Sequence, residues 1–321
     1  MEKTAKRTSL ISGEVELRRA AELIRAGELV AFPTETVYGL GANALDAAAV
    51  EKIYIAKGRP AESPLIVHID SVEMARGLVR EWPTRADLLA AKFWPGPLTL
   101  ILPKMPCVPD RVTAGLETVG IRMPANALAR ALIHESGVPL AAPSANRFTE
   151  LSPTTAEHVR KSMSDRVAMI LDGGPTTVGI ESTVLSLAGP VPLLLRPGMV
   201  TREQIEEIIG LVSLAQSPVS GEAHASPGLH ARHYSPRTPL FLVEQGRLPL
   251  STRGAYLWIA HPAEAARCIQ MPNDPEKYAA MMYRALHETD AEGWDWIAVE
   301  RPPEAPAWEA IRDRLERAAS R

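Results

Sequence analysis

Leu29-Val30-Ala31-Phe32-Pro33-Thr34-Glu35-Thr36-Val37-Tyr38-Gly39-Leu40-Gly41-Ala42-Asn43-Ala44, running into Asp46 to Lys57, is the stretch on which the fold turns. Leu29 to Phe32 reads as a strand, and Asp46 to Lys57 as a helix with an N-cap at its start and Gly58 at its end. Gly39, Gly41 and Ala44 fit the relaxed dinucleotide fingerprint G-x-G-x-x-A. Pro33 and the polar Thr34-Glu35-Thr36 interrupt the strand first, so a parallel nucleotide-binding opening fits poorly and the glycines read as a tight turn.

Outward from there, Leu65 to Ile69, Leu98 to Leu102, Val119 to Arg122, Pro139 to Ala142, Val167 to Leu171 and Thr183 to Leu187 read as further strands. Glu14 to Ala26 reads as a helix closed by Gly27, and Thr201 with Gln204 as the capping box of a helix reaching Ile209. This is an α/β pattern. Several connections are too short for crossover helices, so strand direction stays open. Past Gly210, residues such as Ser217, Pro218, Gly221, Pro227 and Gly228 break all periodicity, which reads as a linker over 211–238. A second α/β domain, 239–321, then has strands at Leu240 to Val243, Ala255 to Ile259 and Trp296 to Val299, and helices at Pro275 to His287 and Ala307 to Arg317.

The 321 residues, 46% hydrophobic and 23% charged, suffice to bury a core in each part. No apolar run reaches the roughly 18 residues of a membrane span, and Met1 to Ser12 has basic residues without the hydrophobic centre of a signal peptide. The expected compartment is the cytoplasm. Cys107 and Cys268 stand far apart and outside any C-x-x-C pair, so both read as inert buried thiols. A net charge of -3 argues against a protein that grips a nucleic-acid backbone over many phosphates. Residues 1–208, with 23 Lys and Arg against 24 Asp and Glu, carry no basic excess either. A small anionic ligand in one local basic pocket remains compatible.

Candidate chemistry sits where strands and helices end. Lys57-Gly58-Arg59-Pro60 closes a helix; its two cations either complement the helix dipole or are held by the Gly-Pro loop on one ligand, Arg as a fork and Lys as a point charge. Ser144 and Asn146 follow the strand ending at Ala142, as a plain turn or as groups for substrate oxygens. Arg122 and Arg196 end strands, and His68 lies in one; each pairs with a structural partner or faces a ligand. Ile180-Glu181-Ser182-Thr183 opens another strand with a polar cluster that reads as buried. P-loop, G-x-S-x-G and H-E-x-x-H signatures are lacking, so any ATP site is of another kind.

Taken in order, Phe32 to Gly41, Lys57-Gly58-Arg59-Pro60 with Pro64 to His68, Phe93 to Thr99, Val119 to Pro124, Ala142 to Asn146 and Glu181 to Val184 resemble the YrdC-like family, whose signature is Lys-x-Arg followed by Ser-x-Asn. Ser226 to Pro236 and the region beyond are similar to its longer Sua5 branch. The resemblance implies a YrdC-like twisted open mixed sheet with a concave, positively lined cavity, and a smaller α/β, Rossmann-like Sua5 domain. It further implies a nucleotidyltransferase that makes threonylcarbamoyl-AMP and pyrophosphate from L-threonine, bicarbonate and ATP, for N6-threonylcarbamoyladenosine in tRNA. Carried over by position, Thr36, His68, Arg122, Ala142 and Ser182 would bind threonine. Arg59, Ser63, Thr118, Ser144, Ser152 and Arg196 would contact ATP, joined by Arg232 and Tyr234 from a linker that closes as a lid on hinges at Gly221 and Gly228. Lys57, Arg59, Ser144 and Asn146 would form the catalytic group, with Mg2+ held through the ATP phosphates and no redox cofactor. A downstream transferase complex would receive the product, with weak or no direct tRNA binding. Two other readings stand beside this one: a carbamoyl-adenylate-dependent carbamoyltransferase module, whose usual extra regions are missing from the sequence, and a plain RNA-binding module.

Overall fold

The computed structural model describes residues 10–11, 13–215, 234–249 and 253–319. Its first elements are β1 (Leu10–Ile11), α1 (Glu14–Arg25), β2 (Val30–Phe32), β3 (Gly39–Asn43), α2 (Ala47–Lys57) and β4 (Ile66–His68). There follow α3 (Val72–Arg76), α4 (Thr84–Phe93), β5 (Leu98–Pro103), α5 (Asp110–Thr113), β6 (Thr118–Arg122), α6 (Ala127–Ser136), β7 (Leu140–Ala141) and α7 (Ala156–Met163). Next come β8 (Met169–Leu171), β9 (Thr183–Ser186), β10 (Leu193–Arg196), α8 (Arg202–Ile209) and β11 (Ser213–Leu214). The last part holds β12 (Leu240–Val243), β13 (Gly254–Trp258), β14 (Arg267–Gln270), α9 (Pro275–Ala291), β15 (Trp296–Glu300) and α10 (Glu309–Ala319).

Two sheets result. One has eleven strands in the order β1-β8-β2-β3-β7-β4-β6-β5-β9-β10-β11, with parallel and antiparallel neighbours mixed; the other has four parallel strands, β12-β15-β13-β14. The expected mixed sheet with a smaller α/β part is thus met. The helix boundaries follow from local chemistry. Asp46 accepts from the backbone of Ala48 and Ala49 to start α2, and Gly58 ends it at φ 63. Thr201 and Gln204 form the expected capping box of α8.

Three expectations are corrected. Gly39 to Ala44 is no tight turn, because Gly39–Asn43 is the strand β3, antiparallel to β2. Its glycines serve close approach: a Cβ on Gly41 would lie 2.7 Å from the Phe32 ring. Cys107 and Cys268 are exposed, not buried. Ser213–Leu214, expected within a linker, adds a parallel edge strand beside β10.

The C-terminal part shares a core with the first. Val37 and Ile180 from the large sheet's loops, together with Tyr234, pack among Tyr278, Tyr283, Leu286 and Ile311. Each such apolar side chain contributes about 1.5–3 kcal/mol on full burial. The two backbones come close at Gly179, φ 82, where a Cβ would fall 2.3 Å from Ala279 O.

Candidate functional site

Residues two apart on a strand share a face. On β4 this aligns Ile66 with His68, and on β6 it aligns Thr118, Gly120 and Arg122; the strands run parallel with His68 opposite Arg122. That face, through Ile66, His68 and Arg122, is the floor of a cavity. The β2–β3 loop makes one wall. There Thr34 Oγ1 donates to Val37 O at 2.6 Å and accepts from the backbone of Thr36 and Val37, while the Tyr38 hydroxyl donates to Gly174 O at 2.7 Å. A second wall is Ala142 to Ser144, bridged to β3 through Gly39 and Ser144. Glu181, Ser182, Arg196 and Tyr234 close the third.

Three arginines line this cavity, Arg59, Arg122 and Arg196, with Glu181 as its carboxylate among the described residues. Arg122 Nε donates to Gly96 O at 3.3 Å and Nη1 to Thr36 Oγ1 at 2.9 Å; Nη2 lies 2.6 Å from Glu35 Oε1. Glu35 Oε2 in turn accepts from the Ala125 backbone at 3.0 Å, so the carboxylate is fixed before it fixes the arginine. Arg196 donates from Nε to Ser182 O at 3.0 Å and from Nη2 to Ser182 Oγ at 3.2 Å, and that hydroxyl lies 2.8 Å from Thr99 Oγ1. Arg59 donates to the carbonyls of Ser63 and Pro64 at 3.3 and 3.0 Å. Burial, with Arg196 nearby, brings the Arg59 pKa down to about 10, and burial lowers that of Arg196 as well. Both remain charged at neutral pH, and two buried guanidiniums near one another favour an anion between them. Burial, aided by Arg122, drops His68 to about 3, so its imidazole is neutral, and Nδ1 has no hydrogen-bond partner among the described residues.

Thr36, His68, Arg122, Ala142, Ser182, Arg59, Ser144, Arg196 and Tyr234 are therefore brought together around one space. Other candidates stand apart from it. The Lys57 ammonium does not line the cavity; it donates to Ser144 O at 2.5 Å and to Asn146 O, holding the second wall from behind. Burial, with Arg59 close by, keeps its pKa well below the ordinary lysine value. Asn146 donates to the carbonyls of Arg147 and Glu150. Ser63 is buried beneath Arg59. Thr118 lies farther along the same sheet face, in an adjoining cleft that shares Ile66 with the main cavity. Ser152 is fully buried and donates to Glu181 Oε1 at 2.6 Å. Arg232, Gly221 and Gly228 lie outside the described residues.

Glu35, Glu181, Tyr283 and Arg314 were given no role by the sequence reading. Arg314 did leave a signal, since it occupies the apolar face of α10 with Ile311, Leu315 and Ala318, where a lone arginine demands a buried partner. Its partner is Glu181, at 2.9 Å.

Converging buried guanidiniums and hydroxyls on the concave face of an α/β sheet define an enzyme of the class that gathers small anionic substrates. The chain belongs to the Sua5/YciO/YrdC family. Residues 22–198 match the family model described as "Telomere recombination", and residues 200–320 the one described as "Threonylcarbamoyl-AMP synthase, C-terminal domain". The chain is similar to the threonylcarbamoyl-AMP synthase of Bacillus subtilis, 45% identical over 97% of this chain and 94% of the relative. It is 42% identical to that of Pyrococcus abyssi, over 95% of this chain and 94% of the relative. The crystal structure of P. abyssi Sua5 complexed with L-threonine matches with a TM-score of 0.90 at 40% identity, covering 96% of this chain and 95% of that one. No helix among the described residues is long and apolar enough to cross a membrane.

Proposed function

We propose that this chain makes threonylcarbamoyl-AMP and pyrophosphate from L-threonine, bicarbonate and ATP, in the cytoplasm, and that the arginine-lined cavity is where it does so. The observation that carries the reading is the convergence of Arg59, Arg122 and Arg196 with the hydroxyls of Thr36, Ser144 and Ser182 on one cavity. Three anions must meet there: the threonine carboxylate, its carbamate and a triphosphate. The threonine amine nitrogen bonds to the bicarbonate carbon as the C–OH bond breaks and the hydroxide leaves as water with an amine proton; from CO2, formed by that same loss of water, the nitrogen gives up a proton as the carbamate forms. A carbamate oxygen then bonds to the α-phosphorus of ATP as the bond to the β-phosphate oxygen breaks and pyrophosphate leaves.

In this reading Arg122, held by Glu35, Gly96 O and Thr36, takes the threonine carboxylate, with Ala142 and Ser182 beside it. The neutral His68 offers Nδ1 as an acceptor to the threonine amine or hydroxyl. Arg59, Ser144 and Arg196 take the phosphates and the charge that grows on the leaving group. Ser63 and Ser152 support from beneath, Thr118 extends the floor toward the adenosine, and Lys57 and Asn146 keep the wall that carries Ser144 in place. Tyr234, buried in the third wall, shields the site, and Arg232, outside the described residues, is assigned with it to ATP.

Among the described residues no group of three or more His, Cys, Asp or Glu could hold a metal ion. Glu181, the cavity's carboxylate, is occupied by Ser152, Tyr283 and Arg314. The donor set thus suits Mg2+ carried on the triphosphate oxygens, where it would offset phosphate charge. The product passes to a downstream threonylcarbamoyl transferase that modifies tRNA, and this chain need not bind tRNA itself. Purified chain given threonine, bicarbonate and ATP, with no RNA, should yield threonylcarbamoyl-AMP by mass spectrometry and equimolar pyrophosphate. Absence of the adenylate, or a requirement for RNA, would overturn the reading.

A further inference from the structure

Arg314 is fully buried and does not line the cavity, whereas its partner Glu181 does. Arg314 Nε donates to Glu181 Oε2 at 2.9 Å, Nη2 to Pro197 O at 3.0 Å and Nη1 to Asp313 Oδ2 at 2.6 Å. Asp313 also pairs with Arg317 at 2.9 Å, so two arginines and two carboxylates close a neutral chain running from α10 to the cavity wall. The Glu181 carboxylate is held further by Ser152 and by the Tyr283 hydroxyl of α9, the latter at 3.2 Å. The same guanidinium lies 5.6 Å from the ring centroid of Tyr234, itself a cavity residue.

A carboxylate in the wall of a cavity that receives a triphosphate opposes binding unless its charge is balanced. Glu181 is adjacent in sequence to Ser182, on which Arg196 is seated, so an unbalanced Glu181 would also compete for that guanidinium. We propose that Arg314 is a positioning residue supplied by the C-terminal part. It neutralises Glu181 from behind the wall and thereby reserves the charge of Arg196 for the nucleotide phosphates. The proposal rests on the reading of the cavity as the ATP site. It gives α10 a definite task in the reaction, setting the affinity for ATP rather than for threonine.

The test is a charge cycle read by separate KM values for ATP and threonine, with thermal melting as the folding control. Arg314→Met should raise the ATP KM on the order of tenfold, the effect of one unbalanced charge in a partly desolvated wall, and move the threonine KM far less. Adding Glu181→Gln, which leaves an oxygen for Ser152 and Tyr283, should return the ATP KM to within about threefold of native. A double variant no better than Arg314→Met, or ATP and threonine KM rising together, would reduce Arg314 to a structural clamp and overturn the proposal. Should Arg314→Met not fold, Arg314→Lys decides. It keeps the charge, so an ATP KM within about threefold of native supports the proposal, and a tenfold rise in a folded protein refutes it. Arg59→Met separates the two levels: an unaltered ATP KM there would sink the site reading itself, whatever Arg314 does.

Discussion

Arg122→Lys tests the threonine half of the site most sharply. The guanidinium is 4% exposed and is set by three neighbours: Gly96 O, Thr36 Oγ1 and the Glu35 carboxylate. With Nε turned to Gly96, one Nη1 hydrogen to Thr36 and Nη2 beside Glu35, one hydrogen on each Nη is left over, the pair that the proposed reading assigns to a substrate carboxylate. Lysine keeps the positive charge beside Glu35, which protects the fold, but a single ammonium cannot hold Glu35 and also span both oxygens of a ligand carboxylate. Losing one charge-assisted hydrogen bond costs about 2–3 kcal/mol, or roughly 30- to 150-fold in affinity. The expected outcome is a threonine KM raised by that factor, with the ATP KM within about threefold of native and melting lowered by only a few degrees. Pyrophosphate release measured against each substrate in turn reads this directly. An equal rise in both KM values, or no change in that for threonine, would refute the assignment of Arg122 to the carboxylate.

Lys57→Met strands the carbonyls of Ser144 and Asn146, so it should cost about 1–3 kcal/mol of stability and raise the ATP KM through displacement of Ser144. A native melting temperature with activity lost would instead place the ammonium directly on the reacting phosphates. Acid should weaken the fold through histidines kept neutral by burial. The pKa values of His68 and His158 are depressed from 6.5 to about 3, and that of His287 is also lowered. Because the folded values lie below the unfolded one, stability is full above about pH 6.5 and falls as pH drops toward 3, by at most about 1.4 kcal/mol per pH unit for each histidine. His158 and His287 stack with ring centroids 3.8 Å apart between α7 and α9, so a His158→Gln, His287→Gln pair should flatten the melting profile between pH 7 and 5; an unchanged slope would exclude them as its source.

Much of this was legible in the sequence because the signals were local. The capping box at Thr201 and Gln204, the Asp46 cap and the polar Ile180 to Thr183 cluster are spelled by neighbouring residues, and the structure places them as read. The strand β3 was not legible, since glycines suit a turn as well as a strand, and only the Phe32 ring packed on Gly41 decides between them. The cavity's supporting layer was hidden for a related reason. Glu35 and Arg122 are 87 residues apart and Glu181 and Arg314 133 apart, and no spacing rule joins such pairs until the sheet and α10 have brought them together. Lys57 shows the complementary limit: its motif marks the helix end it sits on, while the direction of its ammonium, toward the carbonyls of Ser144 and Asn146 and not into the cavity, depends on a loop 87 to 89 residues away that the fold brings to it.

Gly179 bears on how portable the two parts of this chain are. With Ala279 O 2.3 Å from where its Cβ would stand, there is no room for any side chain between the loop leading to Glu181 and the backbone of α9. Flexible side chains can yield to a foreign surface, but main chain against main chain cannot. A hybrid enzyme that borrowed its C-terminal part from a relative would therefore have to match this seam as well as the shared core and the Glu181–Arg314 pair, however well the connecting segment was matched. The fit would be read out in ATP affinity, because the residues just beyond the seam are the ones that carry the wall of the site.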